Sequence, residues 1–326
     1  MNKKIKTLPR ELCLIMIFAV ICAAMTAGNP KFLTAGNFKN IILSNFEIGL
    51  VCISMTCVIL TAGMDMSVGS ITGLTNMLTG IFAVNMGVDI PAAILLALLG
   101  GLSVGVLNSI MVIKLENSNP MIITIGTMVL VRAICRLLTE GWTISGFDKS
   151  FKAVSYGKIA GINNTILLLF VLMFAGQWML KRTTWGMHLY AIGNNEQSTY
   201  FAGVNVKKVK FAVYMFSAFM SSLAGIFLAS RMMTSYPDSG DGYHMEAIAA
   251  IVIGGTSISG GEGNMIGTLF GFLIIASLKN GLGLMGVSSL TQMIFIGVVL
   301  IVTILINNIL KQQHEKKGLL MMKKNG

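Results

Sequence analysis

The sequence predicts an all-α, polytopic transmembrane helical bundle with about ten spans. Of its 326 residues, 54% are hydrophobic and only 11% are charged, whereas soluble domains carry about 25% charged residues. The mean hydropathy is +0.77. The apolar residues also form runs near the ~20 residues that a helix needs to cross a bilayer. We therefore interpret 1–326 as a single transmembrane domain.

Ten spans can be placed in order along the chain. The first follows a basic N-terminus, and small residues at 23–27 resemble a signal-peptide cleavage site. We nevertheless expect this helix to be retained, because further spans follow it. The eighth span is the shortest. The predicted spans are 11–28, 41–61, 68–88, 90–113, 120–139, 163–181, 211–231, 246–260, 264–284 and 289–310.

The positions of the basic residues predict how these spans are oriented. The formal net charge of +11 could indicate a nucleic-acid partner, but Lys and Arg cluster beside the spans. With the N-terminus inside, 15 of them lie on the cytoplasmic side and 7 on the outer side, as the positive-inside bias requires. We therefore predict that both termini are cytoplasmic, that the partner is the lipid bilayer, and that no nucleic acid binds. Arg132 and Lys279 lie deeper, and we expect Lys279 to reach back to the outer interface.

No group of residues has the arrangement typical of catalysis or metal binding. The five cysteines fall within apolar runs, and the three histidines fall in three different loops or tails. A phosphate-binding Gly-x-x-x-x-Gly-Lys-Ser/Thr loop is also absent from the sequence. We predict no catalytic residue, no metal and no bound cofactor, so any ATP would be hydrolysed by a separate chain.

Two polar breaks interrupt the apolar sequence and suggest two related halves. The first, 60–70, contains Gly63, Asp65 and Ser67, and the second is 252–263. Each is a Gly/Ser segment with one carboxylate between two apolar runs. Such paired interruptions indicate a transport site between repeats, because their backbone groups need protein or water partners. The alternative is that both are tight turns at the cytoplasmic face.

The loop at 182–210 is the most informative polar segment. Asn195 is a plausible N-cap, Glu196 would complement the dipole of a short helix, and Gly203 would end it in the left-handed conformation. A helix of about two turns is not stable alone. We therefore expect it to dock on another protein, the alternative being a loosely ordered surface loop.

Three segments carry recognisable motifs. Residues 59–70 read ILTAGMDMSVGS, and residues 246–257 read EAIAAIVIGGTS. The central loop contributes, in order, Gly186, Tyr190, Ala191, Gly193, Asn195, Glu196 and Gly203. With these motifs the chain resembles, over roughly residues 45 to 305, the permease subunits of ABC importers in the ribose-type monosaccharide family. It departs from them at Met187, at Gln197 and Ser198, and at His244 and Glu246.

The resemblance implies a multi-pass transport subunit of the bacterial cytoplasmic (inner) membrane that is not itself an enzyme. It would carry a monosaccharide or related small polyol inward, driven by ATP hydrolysis on separate subunits. The implied partners are a cytoplasmic ABC ATPase subunit, an extracytoplasmic sugar-binding protein and a second permease copy, identical or not. The expected ATPase contacts are Gly193, Asn194, Asn195, Glu196, Ala202 and Gly203. The expected substrate-pathway residues are Gly63, Asp65, Ser67, Asn108, Glu246, Gly254, Gly255, Thr256, Ser257 and Asn280.

Other functions and other roles remain open. An ion-coupled secondary transporter also uses broken helices, but would leave the exposed loop helix without a partner. An ABC permease for a nucleoside or a branched-chain amino acid fits the two breaks less well. Asp65 could simply cap the helix that follows it, Glu246 could be interfacial, Arg132 could snorkel, and Asn108 and Asn280 could bridge helices instead of binding sugar hydroxyls.

Overall fold

Helices form most of the described chain. The structure, a computed structural model, describes residues 10–115 and 119–299 together with residues 301 and 305. The helices in chain order are α1 (Arg10–Gly28), α2 (Ala35–Leu60), α3 (Val68–Gly80), α4 (Ile90–Lys114), α5 (Pro120–Leu137), α6 (Lys152–Tyr156), α7 (Asn164–Arg182), α8 (Thr184–Asn194), α9 (Glu196–Phe201), α10 (Val206–Met232), α11 (Tyr243–Ile253), α12 (Met265–Leu284) and α13 (Ser289–Val299).

Short irregular elements join these helices. A π-helical turn, Ile81–Asn85, continues α3, and 3-10 turns cover Pro30–Leu33 and Lys149–Phe151. Two small antiparallel ladders lie in the loops. In the first, β1 (Ile144–Ser145) pairs with β4 (Thr234–Ser235), and in the second, β2 (Lys158–Ile159) pairs with β3 (Ile162–Asn163).

The structure confirms that the chain is a helical membrane protein. Each predicted span overlaps a helix, and α2, α4, α5, α7, α10 and α12 are long and apolar enough to cross a membrane. The basic residues at 3–6 and 311–324, and the last part of the tenth predicted span, lie outside the described residues. The number of crossings and the orientation therefore remain predictions.

Two predicted spans differ from the helices found there. The third consists of α3 and its π-helical turn, and the eighth contains only the 11 residues of α11. Helix α11 ends at Ile253 because Gly255 adopts φ +90°, a left-handed conformation that a glycine takes easily. With about 1.5 Å per residue, α11 is too short to cross a bilayer alone.

Helix α3 is buried among α4, α5 and α10 and is held by polar contacts. Thr72 Oγ1 donates to the Ser221 carbonyl at 3.1 Å, and Thr75 Oγ1 donates to the Ser222 carbonyl at 3.2 Å. Small and hydroxyl side chains are typical of helix contacts in membranes, where close approach and hydrogen bonds replace the hydrophobic effect. The contact between α3 and α10 is therefore a cluster of polar side chains inside an otherwise apolar bundle.

Residues 233–242, between α10 and α11, turn back into the bundle. Ser235 Oγ donates to the Asn76 carbonyl at 2.6 Å, and further along the segment Gly240 packs against Gly69. Asn76 and Gly69 are seven residues apart on α3, which corresponds to about 10 Å along a helix. The segment is thus a re-entrant strap that runs antiparallel to α3, and sequence patterns did not predict it.

Candidate functional site

The buried carboxylate of Asp65 fixes the conformation of the first break through hydrogen bonds. Asp65 is only 1% exposed, and its Oδ1 accepts hydrogen bonds from Ser67 N at 3.0 Å and from Ser67 Oγ at 2.5 Å. Its Oδ2 accepts a bond from Ser217 Oγ of α10 at 2.7 Å. Asp65 therefore satisfies the N–H of Ser67, the residue before α3, through a local hydrogen bond, while α3 itself has no side-chain N-cap bond.

Asn108 extends this group of polar side chains to α4. Its Nδ2 donates to Ser67 Oγ at 2.8 Å, and Asn108 and Ser67 are both buried. Buried Asn108 Oδ1 has no hydrogen-bond partner among the described residues, although buried polar atoms are usually paired. The structure thus brings together three of the predicted pathway residues and adds Ser217, which no motif had indicated.

The second break lies directly against the first. Gly261 N donates to the Leu60 carbonyl at the end of α2, at 3.0 Å, and Gly260 packs against Ala62. Within the second break, Ser257 N donates to the Glu262 carbonyl at 2.9 Å. The first residues of the two breaks, 60 and 252, are 192 positions apart in the sequence. The breaks nevertheless contact each other directly.

Helix α8 packs on both breaks. Tyr190 Oη donates to the Gly263 carbonyl at 2.8 Å, and Asn194 Nδ2 donates to the Gly261 carbonyl at 3.5 Å. Gly193 approaches the Leu60 carbonyl and the Gly261 backbone so closely that a Cβ atom would collide with both. Gly193 and Asn194 are thus in direct contact with the breaks, at the end of the bundle that carries the basic loop.

Helix α9 has the local structure that the sequence predicts. Asn195 Oδ1 accepts a hydrogen bond from Ser198 N at 2.8 Å, and Gly203 has φ +88°. Glu196 pairs with Lys210 of α10 at 2.6 Å. Sequence reasoning had anticipated one helix in this loop, whereas the structure has two, α8 and α9.

An aromatic pair on α9 had not been anticipated. Tyr200 is 63% exposed and Phe201 is 77% exposed, and their ring centroids lie 5.8 Å apart. Ala202, an expected ATPase contact, is exposed beside them. Exposed large side chains next to a charged loop are typical of a protein contact surface.

The remaining predicted pathway residues divide into two groups. Gly254, Gly255 and Thr256 are buried at the start of the second break, and Ser257 is half-buried there; backbone contact with Gly267 brings this break against α12. Toward the other end of α12, Glu246 pairs with Lys279, and Asn280 pairs with Asn37.

Lys279, which was expected to reach the outer interface, and Arg132, for which snorkelling was one alternative, both bind protein groups. Lys279 Nζ lies 2.9 and 2.8 Å from the two carboxylate oxygens of Glu246. Arg132 donates to backbone carbonyls, among them that of Gly69 at 3.1 Å. Asn280 Oδ1 accepts a hydrogen bond from Asn37 Nδ2 at 2.8 Å, which is the bridging arrangement between α12 and α2.

A buried ion pair was missed by the sequence analysis. Glu47 in α2 is 1% exposed, and its Oε1 and Oε2 lie 2.8 Å from Arg231 Nε and 3.3 Å from Arg231 Nη2. The sequence did contain a signal for this pair, because Glu47 is a carboxylate within an apolar span and such a group is usually paired or functional. Among the described residues, no cluster of three or more His, Cys, Asp or Glu is placed to hold a metal ion.

Comparisons with known proteins show which family the chain resembles. A family model described as branched-chain amino acid transport system / permease component matches residues 37–304. The chain is 35% identical over 300 residues to the ribose import permease protein of Escherichia coli (strain K12), covering 90% of this chain and 92% of that protein. It is 38% identical over 284 residues to the ribose import permease protein of Bacillus subtilis (strain 168), covering 86% and 87%.

A fructose import permease protein of Rhizobium meliloti is 32% identical over 302 residues, covering 90% of this chain and 83% of that protein. No solved structure gives a significant match. The similarity to a ribose-type permease that the motifs indicated is therefore confirmed.

The Glu47–Arg231 pair predicts a stability effect. Glu47→Gln leaves the Arg231 guanidinium without its charge partner, which costs on the order of 3 kcal/mol for a buried pair. We expect the thermal unfolding midpoint in detergent to fall by several degrees, and adding Arg231→Met to restore most of it. Glu140→Gln, at an exposed loop position, is the control. An unchanged midpoint for Glu47→Gln alone would show that the pair does not stabilise the bundle.

Proposed function

This chain belongs to the family described as branched-chain amino acid transport system / permease component, and we propose that it is the membrane-spanning subunit of an ABC importer for a monosaccharide or related small polyol. The observation that carries the proposal is 35% identity to a ribose import permease over 90% of the chain. In this function the chain moves the solute, and a separate cytoplasmic subunit hydrolyses ATP.

The chemistry of the two breaks supports a neutral solute. Asp65 and Glu262 are the charged residues of 60–70 and 252–263, and Asp65 is engaged by serine hydroxyls and a backbone N–H. An amino acid carries two opposite charges that a site would have to balance, whereas sugar hydroxyls need only hydrogen bonds. This favours the sugar over the branched-chain amino acid named in the family description.

We propose that the pathway runs beside the two breaks. Asp65, Ser67 and Asn108 would provide hydrogen bonds to the solute beside the first break. Gly63, which has no side chain, would leave space for the solute in a narrow part of the pathway. Gly254, Gly255, Thr256 and Ser257 would line the other break. Asn108 Oδ1 and Thr256 Oγ1 are buried without partners in the described chain, which supports a role for water or solute hydroxyls at these atoms. Glu246 and Asn280 would lie toward the entrance.

The proposed ATPase contact is the surface of α8 and α9. Tyr200 and Phe201 would insert into the ATPase subunit, since aromatic side chains often dominate the binding energy of an interface. Movement of α9 would reach the breaks through α8, because Gly193, Asn194 and Tyr190 already contact them. The proposed assembly is completed by a second permease copy and by an extracytoplasmic binding protein that delivers the sugar.

We propose ten spans in two related halves within a single domain, 1–326, with both termini cytoplasmic. The support is the excess of Lys and Arg on one side of the predicted spans. A single cysteine at Gln197 should react with an impermeant thiol reagent only from the cytoplasm, and one at Lys149 only from outside. Labelling of both positions from the same side would contradict this topology.

Gly203 provides a test of the coupling surface. A β-branched residue is poorly tolerated at φ +88°, and no other group lies within 4 Å of a Cβ built there, so Gly203→Val should act only by straining the end of α9. We expect ATP-driven ribose uptake, in proteoliposomes with the ATPase and binding protein, to fall roughly tenfold, the factor for about 1.4 kcal/mol.

The matched control is Gly203→Asn, because Asn adopts the left-handed conformation at helix ends. It should retain most of the uptake. Both variants should insert into the membrane in normal amounts. Normal coupling of Gly203→Val to the ATPase would show that α9 is not the contact, while absence of uptake of every pentose and hexose by the unmodified complex would contradict the proposed function itself.

A further inference from the structure

One arginine side chain holds the re-entrant strap, residues 233–242, against α3. Arg132 Nη1 donates to the carbonyls of Pro237 at 2.7 Å and Ser239 at 2.8 Å. Its Nη2 donates to the carbonyl of Gly69 in α3 at 3.1 Å. A single planar guanidinium on α5 thus joins the strap to α3, a geometry that the compact ammonium group of a lysine does not reproduce.

A second side chain completes the attachment. Asn76 Oδ1 accepts hydrogen bonds from Tyr236 N at 3.1 Å and from Ser239 Oγ at 2.9 Å. Together, Arg132 and Asn76 satisfy backbone groups of a non-helical segment that an apolar environment would otherwise leave unpaired. Ser239 is fully buried beneath these contacts.

The strap has residues in the left-handed conformation at both ends. Met233, its first residue, has φ +53°, and Gly240 and Gly242 have φ +73° and +77°. A left-handed non-glycine residue stores strain that the surrounding structure must hold. Residues with unusual dihedral angles at the ends of elements are also those that absorb hinge motions.

The strap lies above the polar group of the first break. It follows α10, so it approaches the bundle from the end opposite α8 and α9. Gly69, where Arg132 binds, is two residues after Ser67, which contacts both Asp65 and Asn108. Displacement of the strap would therefore uncover the part of α3 next to the proposed pathway.

We propose that residues 233–242 form a movable closure of the pathway on the side opposite α8 and α9, and that Arg132 is the positioning residue that holds it closed. This inference rests on the proposed transport function. The bonds of Arg132 to the strap suit release, because their acceptors are neutral carbonyls and water can replace the protein partner of each group when the strap moves away. Breaking a buried ion pair costs more.

Arg136 is a matched control on the same helix. It lies one turn after Arg132 and also contacts the strap, through Asp238 at 2.8 Å. Its side chain and that of Asp238 are 61% and 57% exposed, and such surface pairs contribute little to stability. Arg136→Met removes an arginine from the same segment without removing the attachment to α3.

The test measures access to a cysteine beneath the strap. Ser239→Cys is introduced into the full chain, assembled with its ATPase subunit in membrane vesicles, and treated with an impermeant thiol reagent on the side opposite α8 and α9. With Arg132 present, labelling should be slow and should rise when the loaded binding protein and ATP are added. Arg132→Met should raise the resting rate about tenfold, corresponding to about 1.4 kcal/mol, and remove the dependence on ATP.

Arg136→Met should leave the resting rate and its ATP dependence unchanged. Arg132→Lys keeps the positive charge but loses the planar guanidinium that binds three carbonyls at once, so it should give an intermediate rate. If Arg132→Met does not insert into the membrane, the labelling rate of Arg132→Lys tests the proposal. The proposal is overturned if the introduced cysteine reacts equally in all variants, or if its labelling never changes with ATP while uptake proceeds. Loss of uptake of every sugar by the unmodified complex would instead count against the transport function.

Discussion

Backbone groups freed by helix breaks must find hydrogen-bond partners inside the protein, and the contacts that meet this requirement hold the breaks, the strap and α8 together. In an apolar bundle an unpaired N–H or carbonyl costs several kcal/mol. The first break is satisfied by Asp65 and by Thr124, whose Oγ1 accepts a bond from Met66 N at 3.0 Å. The strap is satisfied by Arg132 and Asn76. Buried polar side chains thus permit irregular backbone between apolar helices.

The same requirement joins segments that are distant in sequence. The carbonyl that ends α2 accepts its bond from Gly261 of the second break, and the Gly263 carbonyl accepts from Tyr190 of α8. The loop helices, the two breaks and α3 are therefore continuous through direct contacts. Under the proposed ATPase contact, a displacement of α9 would act on the breaks through α8, which packs closely against both of them at Gly193.

The sequence predicted features that depend on neighbouring residues. Asn195 caps α9 and Gly203 ends it because capping and left-handed conformations are set within a few positions. The Glu47–Arg231 pair joins residues 184 positions apart, and no periodicity within either span indicates the partner. The sequence also failed to predict the strap. The side chains that bind its backbone, those of Arg132 and Asn76, lie on other helices, and the segment itself has no regular pattern. The roles of the pathway and coupling residues remain predictions.

We propose that α8 transmits events at the loop to the breaks, and the hydroxyl of Tyr190 lies at the contact between them. Tyr190→Phe removes one hydroxyl, and with it the bond to the Gly263 carbonyl, which contributes about 1 kcal/mol. In proteoliposomes with the ATPase and binding protein, the number of sugar molecules imported per ATP hydrolysed should fall several-fold, while assembly and ATP hydrolysis persist. Tyr156→Phe, in α6, should leave that ratio unchanged. An unchanged ratio for Tyr190→Phe would show that α8 does not couple the loop to the breaks through this bond.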